Sequence, residues 1–129
     1  MILSIDTSSE THRLALYAPG KISKHISWRR KETSKELLPK IDQFLRKNKV
    51  ELKDLKTIVV FRGPGSFTGL RIGIAVAQAL GFALDIPVVS TTKNIVKDTE
   101  KIYKFALLAQ KSPPDKSGRQ IKPVYLPVL

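Results

Sequence analysis

The sequence predicts an α/β domain with a five-stranded mixed sheet and helices on both faces. Two observations lead to this prediction. Three segments with strand patterns follow one another within residues 2–28, and helical and strand patterns then alternate from residue 33 to residue 110. Successive short strands favour antiparallel hairpins, whereas strands joined by helical crossovers pair in parallel. A length of 129 residues is that of one domain.

The first three strands are predicted as a meander. Ile2, Leu3 and Ile5 form a short apolar run that ends at Asp6, and a second run covers residues 14–18. A Pro-Gly turn separates it from an alternating segment at residues 21–28.

The first helix is predicted from the segment that begins at Thr33. Thr33 and Glu36 have the spacing of a capping box. Pro39 predicts either a start near that residue or a bend. The apolar side chains that follow share one helical face: Leu37, Leu38, Ile41, Phe44 and Leu45.

A glycine-rich segment follows the fourth strand, which is predicted at residues 57–61. Gly63 and Gly65 flank Pro64, as expected for a tight turn. Small residues then recur every four positions and line one ridge of a second helix: Gly65, Gly69, Gly73, Ala77 and Gly81. Glycine inside a helix costs about 0.5–1 kcal/mol relative to alanine. The repeat therefore indicates that another backbone or a ligand approaches this ridge closely.

The last elements are a short strand at residues 87–90 and a helix from about residue 93 to residue 110, with a strand at 103–108 as the alternative. We expect a lobe at 1–110, a polar loop at 111–121 and an apolar segment at 122–129 that packs back on the lobe. The element order is ribonuclease-H-like, and it is also the half-domain of the actin/Hsp70-like (ASKHA) fold.

The net charge of +12 surrounds the glycine-rich segment rather than lying in it. Residues 21–56 carry 12 Lys/Arg against 5 Asp/Glu, and residues 93–122 carry 8 against 3. This pattern favours either a polyanion such as RNA or a solvated lysine-rich surface. Trp28 beside Arg29 and Arg30 suggests a nucleic-acid clamp, but a core tryptophan followed by a solvated turn is the preferred interpretation.

The absence of cysteine excludes disulfides and thiolate chemistry and suits a reducing compartment. The first residues lack the basic and apolar regions of a signal peptide, and no apolar run approaches the roughly 20 residues that span a bilayer. We therefore expect a cytoplasmic protein with no membrane contact.

The sequence carries incomplete signals for three kinds of chemistry. The turn with Gly63, Gly65, Ser66 and Thr68 is a candidate anion site, although it lacks the Walker A lysine, and a purely structural turn is the alternative. A ribonuclease-H-type nuclease needs several carboxylates beside the strand-end acid Asp6, and the other acids are scattered. His12 and His25 are expected to be structural. We thus expect no catalytic residues and no metal ligands.

Several strings resemble one family over residues 1–95. They are ILSIDTSSE, ELLPKIDQFL and FRGPGSFTGLRIGIAVAQALGFALDIPVVSTT, and they are similar to those of the TsaB (YeaZ-type) proteins. PVYLP near the end resembles the family's PxYLR, with Pro127 in place of arginine. The family has two lobes, and this chain is too short for the second.

The resemblance implies a non-catalytic partner of the transferase TsaD in making the threonylcarbamoyladenosine of tRNA. A TsaE-like ATPase would join the complex, and tRNA contact would be indirect. The implied interface lies on the first two helices and comprises Leu37, Leu38, Ile41, Leu45, Gly69, Gly73, Ala77 and Gly81. No cofactor is expected in isolation, and a nucleotide would bind only at the complex interface. A small nuclease or resolvase, or a homodimeric binding module, stays open as the alternative.

Overall fold

An open five-stranded sheet carries two helices on one face and one helix on the other in the computed structural model, which describes residues 1–19 and 21–110. The elements are β1 Ile2–Asp6, β2 Thr11–Ala18, β3 Lys21–Arg29, α1 Thr33–Lys47, β4 Thr57–Phe61, α2 Phe67–Leu84, β5 Val88–Thr91 and α3 Thr99–Gln110. The predicted element order is confirmed. The loop expected at 111–121 and the segment expected at 122–129 lie outside the described residues.

The sheet order is β3-β2-β1-β4-β5. β1 pairs antiparallel with β2 and parallel with β4, so that Ile5 lies between Leu14 and Val60. β4 and β5 are also parallel. All five residues of β1 are buried, because helices cover both faces of the sheet and a strand flanks each edge of β1. The predicted mixed sheet is therefore confirmed.

Alternate strand residues supply two apolar layers. Leu3, Ile58 and Val60 face α1 and α2. Ile2 and Val59 point the other way, into a second cluster that includes residues of α3. In this second layer the Tyr17 hydroxyl donates a hydrogen bond to the Ile95 carbonyl, and burial raises the pKa of Tyr17 to about 12.

The start of α1 differs from the predicted capping box. The N-cap is Glu32, with no side-chain cap. The Glu36 carboxylate instead accepts the Lys31 N–H at 3.0 Å and the Trp28 indole N–H at 3.3 Å. Burial acts to raise the pKa of Glu36, but these hydrogen bonds outweigh it and the pKa is lowered. The helix continues through Pro39.

Trp28 belongs to the packed body of the domain. It packs against the core layer under α1 and α2 and lies edge-on to His12, with ring centroids 5.6 Å apart. The Lys40 ammonium lies 5.6 Å from the Trp28 ring centroid. The core interpretation of Trp28 is thus confirmed, and its ring is not a free stacking platform.

α3 begins at Thr99, six residues later than predicted. Asn94 Oδ1 accepts the N–H groups of Val96 and Lys97, both at 2.9 Å. Asp98 Oδ2 accepts the Asn94 N–H at 3.0 Å. These side chains hold residues 94–98 in turns, which is the usual competition of Asn and Asp with helix formation. The alternative strand at 103–108 is wrong, because these residues are helical.

α2 is 18 residues long and apolar enough to cross a membrane by length and composition alone. The core helix of a soluble domain meets the same criterion, so the expectation of no membrane contact stays a prediction. A third of the helix is buried inside the domain, where it packs on β1, β4 and β5.

Candidate functional site

The small-residue ridge of α2 faces the loop between β1 and β2. A Cβ added at Gly69 would come closer than 3 Å to the Thr7 carbonyl oxygen, and one at Gly73 would come equally close to Thr7 Oγ1. At Gly65 it would lie 2.5 Å from Ser8 Cβ. Thr7 Oγ1 also donates a hydrogen bond of 2.6 Å to the Gly69 carbonyl. The close backbone approach predicted from the glycines is thus made by this chain's own loop.

This packing bears on the interface implied by the resemblance, which stays a prediction. Seven of the eight residues assigned to the partner are buried within the domain: Leu37, Ile41, Leu45, Gly69, Gly73, Ala77 and Gly81. Only Leu38 of that set is exposed, at 53%. An apolar stripe on α1 and a small-residue ridge on α2 could pack either in the chain's own core or on a partner. In this structure both pack in the chain's own core.

The candidate anion turn packs on the same loop. The Ser66 N–H donates to the Ser8 carbonyl at 2.7 Å and so is not directed at a ligand. Gly63 has a φ of 112°, which a side chain would strain, and Thr68 is exposed in the first turn of α2. These contacts favour the purely structural turn. Anion binding by Gly63, Gly65, Ser66 and Thr68 stays a prediction.

Asp6 organises the β1–β2 loop. Its Oδ1 accepts both the Ser8 N–H at 2.9 Å and the Ser8 hydroxyl at 2.6 Å. Glu10, the next acid along the chain, pairs with Arg29 at 3.4 Å. Within residues 1–19 and 21–110, no group of three or more histidines and acids is placed to hold a metal ion. In this part of the chain the nuclease alternative therefore lacks the cluster of ligands that a two-metal site requires.

His12 is structural, as predicted. It is fully buried, and its Nε2 lies 2.7 Å from Thr33 Oγ1. Burial lowers the pKa of His12, and the Glu36 carboxylate acts in the opposite direction. His25 is exposed on β3. The His12–Thr33 pair could not be predicted from local sequence patterns, because 21 positions separate the two residues.

The outer face of α2 is defined here by Phe67, Arg71, Ala75, Ala79 and Phe82, which recur three or four positions apart and are all exposed. Phe82 is the most exposed large apolar side chain in the described part of the chain, at 78%. The Arg71 guanidinium lies 3.8 Å from the Phe67 ring centroid. The sequence signal for this face was that apolar residues occur on every side of α2 and not on one face alone. The four-residue spacing of the glycines directed the prediction to the opposite side of the helix.

Comparison with known proteins places this fold in a family. The family model described as TsaD, tRNA N6-adenosine threonylcarbamoyltransferase, matches residues 28–95, just over half of the chain. The chain belongs to this family. The matched segment holds α1, β4, α2 and β5, and therefore both helices of the implied interface.

Curated relatives of this chain include tRNA threonylcarbamoyladenosine biosynthesis proteins named TsaB, and the chain is of this TsaB/YeaZ type. The protein from Escherichia coli K12 is 35% identical over 91 residues, which are 70% of this chain and 39% of the relative. The protein from Bacillus subtilis 168 is 40% identical over 88 residues, which are 67% of this chain and 38% of the relative. The chain thus spans about two fifths of the length of these relatives.

A solved structure agrees with the fold. YeaZ from Pseudomonas aeruginosa is 36% identical to this TsaB/YeaZ-type chain and superposes with a TM-score of 0.65. The superposition covers 70% of this chain and 42% of that protein. The ASKHA-like half-fold predicted from the element order is confirmed.

Proposed function

We propose that this chain is a non-catalytic partner of a TsaD-like transferase in tRNA threonylcarbamoyladenosine biosynthesis. The names of its relatives support the pathway. The observation that carries the partner role is the outer face of α2, on which Phe67 and Phe82 are exposed to 44% and 78% and the alanines between them are exposed as well. Contiguous exposed apolar side chains mark surfaces that interact with a partner.

A protein partner suits this face better than a membrane does. The ridge opposite to it is locked against Thr7 and Ser8, and Gly81 lies against Val88 of β5. Crossing a bilayer would require α2 to leave the sheet and expose these groups. A helix that stays in the fold, with an outer side that is apolar apart from Arg71, instead offers a surface for a second helix.

The TsaD-like occupant is favoured because the transferase family model itself matches this chain. Two related domains present the same helix pair, so the outer face of one α2 would pack on its counterpart in a pseudo-symmetric dimer. Leu38 lies on α1, which packs beside α2, and it would extend the contact. The TsaE-like ATPase, indirect contact with tRNA, a cytoplasmic location and the lack of a cofactor in isolation belong to the same proposal.

Phe82→Glu tests this role. We expect the substitution to weaken binding to the TsaD-like protein of the same organism by at least about tenfold, since it replaces the most exposed apolar side chain of the contact with a charge. The matched control is Phe105→Glu on α3, which removes a phenylalanine that is 57% exposed on the other side of the sheet. Isothermal titration calorimetry measures both constants.

Equal affinities for Phe82→Glu and the unaltered chain would contradict the proposed interface. The homodimeric alternative uses the same face. It predicts that the isolated chain sediments as a dimer, that Phe82→Glu makes it monomeric, and that the TsaD-like protein does not bind.

A further inference from the structure

A second surface feature lies on the opposite side of the sheet from the outer face of α2. A cavity of about 240 Å³ opens between the carboxyl ends of β4 and β5 and the first turns of α3. Its apolar lining comes from Val59, Val89 and Ile102. Crevices at the carboxyl ends of strands are the usual ligand sites of open α/β sheets. The partner role proposed above does not use this cavity.

Three cationic side chains line the cavity: Arg62, Lys93 and Lys101. No carboxylate is among its lining residues, and no ion pair joins any of the three to an acid in the part of the chain that is described. The acids nearest in sequence are engaged elsewhere, because Glu100 pairs with Lys104 at 3.6 Å and Asp98 accepts the Asn94 N–H. Three uncompensated cations around a concavity favour an anionic ligand.

The cavity also has an aromatic wall. Phe105 contributes to the lining and is 57% exposed. A planar group such as a nucleobase can stack on an exposed ring of this kind. Cationic side chains beside the ring can contact the phosphate at the same time, and proteins that bind single-stranded nucleic acids use both contacts. Ser90 and Thr92 add hydroxyls to the same lining.

We propose that this cavity binds one nucleotide of a single-stranded RNA segment, with the base against Phe105 and its phosphates beside Arg62, Lys93 and Lys101. A volume of about 240 Å³ is below the roughly 300–1,000 Å³ of pockets that enclose whole small molecules. It suits one base of a strand that continues over the surface, where the net charge of +12 attracts the rest of the backbone. The inference replaces the indirect tRNA contact of the proposed function with a direct RNA contact, and it does not depend on the TsaD-like partner.

Lys101→Glu tests the cationic part of the site, with Lys97→Glu as the matched control. Both lysines are exposed and the change in charge is the same, but Lys97 is outside the cavity lining. Binding of a fluorescein-labelled 12-nucleotide single-stranded RNA is followed by anisotropy at about 0.1 M salt. We expect Lys101→Glu to weaken binding by tenfold or more and Lys97→Glu by less than threefold.

Phe105→Ala tests the aromatic part, with Phe82→Ala as its control on the far side of the sheet. We expect Phe105→Ala to weaken RNA binding roughly tenfold, as for the loss of one stacked base, and Phe82→Ala to leave it unchanged. Circular dichroism melting curves confirm that each variant is folded.

Several outcomes would overturn this proposal. Equal losses for Lys101→Glu and Lys97→Glu would show diffuse attraction instead of a site. Absence of RNA binding by the unaltered chain would also overturn the proposal. Binding of AMP or of anionic lipid vesicles in place of RNA would overturn it as well. The partner role is measured separately, since Lys101→Glu is expected to bind the TsaD-like protein normally and Phe82→Glu to bind RNA normally.

Discussion

The contact between Thr7 and the ridge of α2 gives the sharpest test of how α2 is oriented in the fold. In Gly73→Ala the new methyl group would meet Thr7 Oγ1 at less than 3 Å, whereas the Thr7 Cβ lies at an ordinary 3.4 Å. Removing the hydroxyl by Thr7→Ala therefore makes room for the methyl group. The two substitutions are expected to be strongly coupled, although 66 positions separate them in the sequence.

The magnitude follows from three contributions. Alanine stabilises the helix interior by about 0.5–1 kcal/mol relative to glycine. Overpacking costs about 1–3 kcal/mol, and displacing Thr7 from its 2.6 Å hydrogen bond to the Gly69 carbonyl costs about 0.5–1.5 kcal/mol more. Gly73→Ala alone should thus lower the free energy of unfolding by about 2 kcal/mol. In the Thr7→Ala background the same change should raise it by about 0.5 kcal/mol.

Urea unfolding of the four proteins measures the coupling energy, which we expect to be about 2–3 kcal/mol. Gly69→Ala is the control, because its methyl group would meet the Thr7 backbone carbonyl. Thr7→Ala leaves that carbonyl in place, so Gly69→Ala should be destabilising in both backgrounds. Additivity of Thr7→Ala and Gly73→Ala within about 0.5 kcal/mol would refute the orientation of α2 described above.

Two further predictions concern buried polar groups. Because burial lowers the pKa of His12 below its ordinary value of about 6.5, the unfolded chain takes up the proton first. The contribution of neutral, buried His12 to the free energy of unfolding is complete above about pH 6.5, and it is lost as the pH falls through the pKa of His12 in the folded state. The urea midpoint should drop more steeply between pH 7 and pH 5 in the unaltered chain than in His12→Gln, and parallel curves would contradict this. Tyr17→Phe removes the hydroxyl that donates to the Ile95 carbonyl and should cost about 1–2 kcal/mol of unfolding free energy, whereas Tyr103→Phe at a half-buried position should cost much less. Equal losses would show that the Tyr17 hydrogen bond contributes nothing specific.

The element order was predictable because it depends on local periodicity. The continuous apolar run of β1 and the four-residue spacing in α2 each specify a type of element without reference to the rest of the chain. What occupies the other side of a small-residue ridge does not follow from spacing. Thr7 and Ser8 are ordinary loop residues in the sequence, and only the sheet brings them to Gly69 and Gly73.

The errors at the helix starts have a similar cause. The Thr33 hydroxyl was expected to cap α1, but it forms a hydrogen bond with the buried His12 ring instead. Asn94 and Asp98 delay α3 through side-chain hydrogen bonds to backbone N–H groups. The cavity was missed because its cations, Arg62, Lys93 and Lys101, lie in three separate segments. Only a charge excess in residues 93–122 hinted at it.

The central position of β1 in the sheet has a consequence during translation. Ile2 pairs with Thr57, so one edge of β1 stays unpaired until β4 has been synthesised. At about 5–20 residues per second, this interval is roughly 3–10 s. During that time an apolar strand next to a finished hairpin presents open N–H and C=O groups to other nascent chains. The strand that is best protected in the folded domain is therefore an aggregation-prone edge while ribosomes are still completing the protein.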